Sequence, residues 1–298
     1  MPSLGFAAAR PAGGAGHLCC AYAGEDEWAR SVTGFVRGAL AAGRQVLYFS
    51  DVAAPEAVLR RLDRCGAGAS AAADAGRLVV QQAEESYLRS LPFDPDRMVE
   101  VWGRACAAAL DAGRTGLAAL GEMSWYARGT PGAERLLEYE LRLNAEVFAR
   151  LPLTALCLYD RGAVPGDAVA LLTGAHVRHL TPGGRILDAP PAAGPAPPLA
   201  ATPLEDRVGL RLRGGADADT RTVLEGALAA LVRLPGPVLH LDLSGADFLD
   251  TAAVAALAAA ARAEHDRGRR LVVHHPPRSL RRVAGMFPDE CGALETAP

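Results

Sequence analysis

The sequence predicts a two-domain α/β protein, and three observations support this fold class. A chain of 298 residues exceeds the usual domain size of about 100–200 residues. Apolar runs alternate with amphipathic helical patterns on both sides of a proline-rich segment. That segment, residues 189–203, holds six prolines and no charged side chain, which is typical of a semi-rigid spacer. We therefore predict domains at residues 1–188 and 204–298.

The first domain is predicted to contain a parallel sheet with crossover helices, because strand-like runs alternate with helices along it. The first helix places Trp28 and Phe35 at helical spacing and ends before Gly43. A later helix, residues 133–150, has a charged face that we expect to be solvated, although Glu140 could point inward. The strand-like runs are residues 17–22, 46–50, 77–82, 116–122 and 154–160.

The composition excludes several kinds of chemistry. All 31 basic residues are arginines, which excludes a Schiff-base lysine and a P-loop lysine, and the many alanines, glycines and prolines indicate a genome of high G+C content. A net charge of −3 with dispersed arginines predicts no nucleic-acid partner. No membrane-length apolar span, signal peptide or C-x-x-C pair occurs, so we expect a cytoplasmic protein with reduced thiols.

The most specific pattern is VLHLDLSGADFLDTAAVAAL, residues 238–257. It predicts a buried strand ending in Asp242, a short turn, and a helix that begins at Asp250 and Thr251. This pattern resembles the STAS family of anti-sigma factor antagonists, and the neighbouring segments extend the resemblance over residues 208–286. A compact α/β domain is therefore predicted.

The STAS resemblance implies a partner and a site. The partner would be an anti-sigma factor that is also a serine/threonine kinase, and Thr251 would be the residue that it phosphorylates. Asp250, Asp242 and Ser244 would belong to the same docking region. The alternative is that Asp250 or Thr251 merely caps the helix. Because alanines follow Thr251, where the family more often has a small polar residue and glycine, phosphorylation is left more open than docking.

Four segments of the first domain look like the MEDS domain, a sensory module named for methanogen, methylotroph and DcmR-type regulators. They are HLCCAYAGEDEW, GEMSW, LLEYELRLN and LCLYD, within residues 16–187. The resemblance implies a fold related to RecA and KaiC-type ATPases. However, the stretch after the first strand, AYAGEDEWARS, has one glycine, no lysine and three consecutive acids. We therefore predict no ATP hydrolysis, no catalytic residue and no cofactor.

A ligand site is predicted beyond the carboxyl ends of the parallel strands, where crevices form in open α/β sheets. Polar and aromatic side chains follow several of the strand-like runs, as a small-molecule pocket requires. The candidate ligand-binding residues are Tyr22, Glu84, Tyr87, Glu122, Trp125 and Asp160.

His17 and Cys19 face the same side of the first strand. A metal site needs further ligands at a known spacing, and neither His176 with His179 nor the adjacent His274 and His275 completes a recognisable set. We predict packing or hydrogen-bonding roles for these residues and no metal.

Together these features predict a regulatory partner-switching protein rather than an enzyme. A small ligand or state sensed by the first domain would control the availability of the STAS-like surface. Two alternatives remain open at this point: a RecA-like nucleotide-binding enzyme, and an interaction scaffold without a ligand. A homodimer is also left open.

Overall fold

A seven-stranded sheet forms the first domain of the computed structural model, which describes residues 16–188, 198–204 and 206–297. Residues 1–15 of the predicted first domain and 189–197 of the predicted linker lie outside the described residues. The strands are β1 (His17–Tyr22), β2 (Gln45–Ser50), β3 (Leu78–Gln82), β4 (Leu117–Glu122), β5 (Leu153–Asp160), β6 (Arg178–Leu180) and β7 (Ile186–Leu187).

The strands follow the order β3-β2-β4-β5-β1-β6-β7, in which β7 alone is antiparallel to its neighbour. The predicted parallel sheet with crossover helices is confirmed. Its helices are α1 (Gly24–Ala41), α2 (Pro55–Arg64), α3 (Ala69–Asp74), α4 (Pro95–Asp111), α5 (Leu136–Leu143) and α6 (Gly166–Gly174). Trp28 and Phe35 of α1 are buried, as their spacing predicts, and Gly43 follows in a left-handed conformation. Among the described residues, no helix is both long and apolar enough to cross a membrane.

A five-stranded sheet with flanking helices forms the second domain. The elements are β8 (Leu199–Pro203), β9 (Gly209–Ala216), α7 (Arg221–Arg233), β10 (Val238–Leu249), α8 (Thr251–Asp266), β11 (Arg270–His274), α9 (Arg278–Met286), α10 (Pro288–Cys291) and β12 (Glu295–Ala297). The strand order is β12-β11-β10-β9-β8; α7, α8 and α9 alternate with the strands, and the short α10 precedes β12.

Two predicted boundaries are corrected here. The last five residues of the predicted linker form β8, an antiparallel edge strand, where proline is tolerated because the outer edge needs no ladder hydrogen bond. The strand predicted to end at Asp242 continues to Leu249, because register shifts after Asp242 and after Ala246 keep it paired with β9.

Helix α5 lies between the two domains and packs on α7. A Cβ added at Gly226 of α7 would lie 3.8 Å from Leu137 Cδ2, which is van der Waals contact between the two helices. One continuous hydrophobic core includes residues of both domains. The domains are therefore packed against each other.

The prediction that the charged face of residues 133–150 is solvated is wrong. Every residue of α5 is buried, and Arg142 is 2% exposed. Its guanidinium donates to Glu138 (2.8 Å), to Glu146 (2.7 Å) and to Asp96 (2.6 Å). A buried charge needs such partners, and here neighbouring acids supply them. The predicted single helix is also divided, with a 3₁₀ turn before α5 and a π-helical turn, Asn144–Phe148, after it.

Candidate functional site

The carboxyl edge of the first sheet carries a chain of internal hydrogen bonds. Trp28 Nε1 donates to Tyr48 Oη (3.0 Å), and Tyr48 Oη donates to Glu122 Oε1 (2.5 Å). The other oxygen of Glu122 accepts from the backbone N–H of Asp51 at 2.9 Å. The Asp51 carboxylate in turn accepts two bonds from Arg128. Both oxygens of Glu122 thus have protein partners, so this residue holds β2 against β4.

The connection from β1 to α1 is a single residue, Ala23. Its backbone N–H donates to Glu27 Oε2 at 2.7 Å, and Arg161 pairs with the same carboxylate at 2.8 Å. The hydrogen bond from Ala23 lowers the pKa of Glu27. A phosphate-binding version of this turn would offer such N–H groups to the ligand. Here a carboxylate of the chain itself accepts the bond.

A narrow internal cavity of about 30 Å³ lies beside the sheet, behind β4 and β5. It is large enough for about one water molecule or a similarly small group. Met98 and Met123 also line it, and their flexible side chains can make room for a larger group. Its seven aromatic lining residues are Phe49, Tyr87, Phe93, Trp102, Trp125, Tyr139 and Phe148.

Two polar groups on the cavity wall lack a partner within hydrogen-bond distance. Trp102 Nε1 donates to Tyr139 Oη at 2.7 Å, whereas Tyr87 Oη and Trp125 Nε1 are buried without such a partner. Burial raises the pKa of Tyr87 and the neighbouring Trp125 N–H lowers it, so the two groups lie near each other at longer range. Burying such a group without a bond costs about 1–3 kcal/mol. The Tyr87 and Trp125 rings lie 6.2 Å apart, edge to face. The cavity therefore suits a small, mainly apolar molecule that carries a hydrogen-bond acceptor.

The second domain presents Thr251 at the first position of α8. Asp250 is the cap of this helix, because its Oδ1 accepts from the backbone N–H of Ala253 at 2.7 Å. Thr251 is exposed and lines one end of an open groove of about 620 Å³ between α8, α9 and α10. Phe287 on this groove is 43% exposed. The hydroxyl of Thr251 is accessible, and the surface beside it is largely apolar.

Asp242 lies elsewhere on the same domain. Its carboxylate accepts from Arg211 Nε (2.7 Å), from the backbone N–H of Ser244 (2.9 Å) and from His275 Nδ1 (3.1 Å). Burial raises the pKa of Asp242, but these hydrogen bonds outweigh it and hold the pKa well below its ordinary value. Asp242 therefore stabilises the sheet, and eight residues separate it from Thr251 along the chain.

Residues 16–177 match the family model of the methanogen/methylotroph, DcmR sensory domain, abbreviated MEDS. The chain belongs to the MEDS family. Residues 201–287 match the model described as Mlab, STAS domain. No curated protein matches the chain. The two resemblances predicted from the sequence are thereby confirmed, in the predicted order. Both are sensory or regulatory families rather than catalytic ones.

Within the MEDS domain, the six predicted ligand residues divide into groups. Tyr87 and Trp125 line the cavity, while Glu122 belongs to the carboxyl-edge chain and Glu84 is an exposed partner of Arg128 at 3.3 Å. Burial chiefly raises the pKa of Tyr22, and the nearby acids Glu122 and Asp160 raise it further. The structure thus places Tyr87 and Trp125 on the cavity wall and brings Tyr22 near Glu122 and Asp160. The six residues do not line one pocket.

The STAS residues divide in the same way. Asp250 and Thr251 adjoin the groove, whereas Asp242 is 7% exposed and engaged within the fold. Ser244 is exposed two residues after Asp242. Asp242 and Ser244 lie on β10, which continues where a short turn was predicted, and a docking region shared by all four residues stays a prediction.

A buried cluster behind β1 and β5 is the feature that sequence reasoning missed. It consists of His17, Glu140, Cys157 and His176, whose side-chain N, O and S atoms lie within 4.8 Å of one another. Burial lowers the pKa values of both histidines to about 3 and raises the pKa of Glu140. This cluster, which the sequence spacing does not reveal, is thus assembled from two strands, a helix and the turn after α6. The HxC spacing alone pointed to Cys19, which contacts His179 instead, at 3.2 Å.

Proposed function

We propose that this protein is a regulatory switch in which the MEDS domain senses a small molecule and the STAS domain binds an anti-sigma factor kinase. One observation carries the proposal: Thr251 is exposed at the start of α8, beside the groove between α8, α9 and α10. A phosphate there would add nearly two negative charges next to Asp250. Like-charge repulsion and the cost of desolvation would then release the partner.

The α8 helix is suited to docking because its two faces differ. Its apolar positions Val254, Leu257, Ala258 and Ala261 are buried, as the sequence predicts. The exposed face carries small side chains from Thr251 to Ala259, so a partner helix can approach closely along this part of the groove, before Arg262. Phe248, which is 50% exposed three residues before Thr251, adds an aromatic anchor of the kind that dominates interfaces.

Helix α5 supports coupling between the two domains. Tyr139 lines the MEDS cavity, Glu140 enters the buried cluster, and Leu137 contacts α7 of the STAS domain. The π-helical turn that follows α5 places Phe148 on the cavity wall. Such turns often occur at functional sites. A ligand that moves Tyr139 or Phe148 would therefore displace the helix against which the STAS domain packs.

We expect Ala255→Arg to weaken binding of an anti-sigma factor kinase by about tenfold or more, because a large charged side chain would block the groove. The measurement is the Kd of the full chain for each anti-sigma factor kinase encoded in the same genome. Ala108→Arg is the matched control, since Ala108 is an exposed alanine of α4 in the MEDS domain. Equal affinity of Ala255→Arg and wild type, or no binding by any kinase, contradicts the docking proposal.

We expect Tyr87→Phe to reduce retention of a small ligand by about two- to tenfold, because it removes one donor worth about 0.5–1.5 kcal/mol and keeps the ring. Native mass spectrometry of the freshly purified chain measures the retained fraction. Tyr126→Phe is the control, because Tyr126 is a partly exposed tyrosine outside the cavity lining. If wild type retains nothing, or if Tyr87→Phe retains as much as wild type, the cavity is not the sensing site.

The rival function, a RecA-like nucleotide-binding enzyme, has less support. At the start of α1, where a phosphate would bind, the carboxylate of Glu27 accepts the hydrogen bond from the backbone N–H of Ala23. Glu25 and Asp26 add negative charge in the same turn. A triphosphate would be repelled there. The sensory and regulatory character of both families points in the same direction.

A further inference from the structure

We infer that His17, Glu140, Cys157 and His176 form a binding site for a divalent transition metal, with Zn²⁺ the best match. The inference is independent of the partner switch proposed above. Two imidazoles, one thiolate and one carboxylate are a donor set that Zn²⁺ accepts in structural sites. All four side chains are fully or nearly fully buried, at 0% exposure for His17 and Glu140 and 4% for Cys157 and His176.

The hydrogen bonds around both histidines leave the required nitrogen free. Asn144 Nδ2 donates to three backbone carbonyls, so its Oδ1 faces His17 Nδ1 at 3.1 Å and accepts a hydrogen bond from it. His176 Nδ1 donates to the carbonyl of Leu172 at 3.0 Å. In both rings the lone pair is therefore on Nε2. Metal-binding histidines are oriented by this kind of partner on the other ring nitrogen.

Both free lone pairs point at the same carboxylate oxygen. Glu140 Oε2 lies 3.1 Å from His17 Nε2 and 3.5 Å from His176 Nε2, and His176 Nε2 has no hydrogen-bond partner. Three acceptors that converge in a dry interior repel one another unless a cation lies between them. A single proton on Glu140 could satisfy His176, and the Cys157 thiol, 3.8 Å from His17 Nε2, offers His17 only a weak and long hydrogen bond. A metal ion satisfies all three acceptors together.

Four of the six distances between the ligand atoms are close to the edges of a tetrahedron. For bond lengths of about 2.0–2.1 Å to N or O and about 2.3 Å to S, ligand atoms should be about 3.3–3.6 Å apart. The observed edges are 3.1 and 3.5 Å from Glu140 to the two histidines. Cys157 Sγ lies 3.7 Å from Glu140 Oε2 and 3.8 Å from His17 Nε2. The other two edges, from His176 to His17 and to Cys157, are at most 4.8 Å, so side-chain movements of up to about 1 Å would close the set on an ion.

The four side chains also balance the charge of a divalent ion, and neighbouring aromatic residues hold Glu140 and His17 in position. One thiolate, one carboxylate and two neutral imidazoles neutralise a divalent ion, so no net charge would be buried. The second oxygen of Glu140 accepts from Tyr159 Oη at 2.7 Å, which fixes the direction of the carboxylate. Phe148 stacks on the His17 ring with centroids 4.6 Å apart. Because these residues come from separate elements, a bound ion would join β1 and β5 to α5 and the end of α6.

The test uses the full chain, depleted of metal by a chelator and then titrated with Zn²⁺ or Co²⁺. We expect one ion per chain by elemental mass spectrometry. The Co²⁺ form should show the visible bands of tetrahedral cobalt and a sulfur-to-cobalt charge-transfer band. Zn²⁺ should raise the midpoint of thermal unfolding, whereas Mg²⁺ should not, because it prefers oxygen ligands in octahedral geometry.

Two variants and a matched control assign the ligands. Cys157→Ser should abolish the charge-transfer band, and His176→Ala should weaken metal binding by about 100-fold or more, since even the loss of an outer partner costs about 10–100-fold. Cys20→Ser is the control, because Cys20 is a buried cysteine on the opposite face of β1 that donates to Ser31. Failure of the metal-depleted wild type to bind Zn²⁺ or Co²⁺, or variant spectra identical to wild type, overturns the site. The wild-type titration decides the question even if a variant does not fold.

Discussion

Replacing Thr251 by glutamate is expected to weaken binding to a cognate anti-sigma factor kinase by about tenfold or more. The new carboxylate lies beside Asp250 at the mouth of the groove between α8, α9 and α10. An unpaired charge in a partly desolvated contact costs on the order of a few kcal/mol, and about 1.4 kcal/mol corresponds to each factor of ten. The fold should tolerate the change, since a negative charge at a helix N-terminus stabilises it by about 0.3–1 kcal/mol.

Two further variants, compared with Thr251→Glu, separate the switch from a general charge effect. Thr251→Ala should keep the affinity and incorporate no phosphate at this position, because Asp250 remains the cap. Thr222→Glu, in the first turn of α7, is an exposed threonine of the same domain and should bind like wild type. Kds for the kinase and phosphosite mapping after incubation with ATP measure both effects. Phosphate at Ser244 or Ser279 in the wild type, or full affinity of Thr251→Glu, would leave a STAS domain without the proposed switch.

Gly132→Ala should lower the free energy of unfolding by about 3 kcal/mol or more. Gly132 has a φ of +88°, a conformation that costs an L-residue roughly 1–2 kcal/mol. A Cβ at this position would also lie 2.5 Å from both the backbone N and O of Phe93. Because Phe93 N–H donates to the carbonyl of Pro131 at 2.8 Å, backbone rather than a flexible side chain would have to move.

Gly129→Ala separates the two contributions. Gly129 has a similar φ of +68°, and nothing lies within 4 Å of the position that a Cβ would occupy there. We expect this variant to lose only the conformational part, roughly 1–2 kcal/mol. Urea unfolding of both variants and wild type gives the difference. Equal destabilisation by the two substitutions would show that contact with Phe93 contributes nothing, and the loop would then not position this aromatic wall of the cavity.

The local sequence pattern was sufficient to predict much of the fold. β1 has the predicted bounds, residues 17–22, because its apolar pattern and flanking breakers lie within the segment itself. The start of α8 was also predictable, since aspartate before an alanine-rich helix is a strong capping signal. By contrast, β10 continues seven residues past Asp242 because it pairs with β9, a distant segment. A sequence window around Asp242 contains no information about that pairing.

The sequence by itself determined the two-domain α/β organisation, both families, the absence of lysine chemistry and the helix start at Thr251, because each depends on residues close together in the chain. Only the tertiary structure decided where α5 points. Its charged residues have the spacing of a solvated face, yet the MEDS core and the STAS helix α7 bury both sides of it. The same packing turns Glu140 toward His17, 123 residues away along the chain. Burial and convergence of distant side chains are properties of packing, and local periodicity cannot specify them.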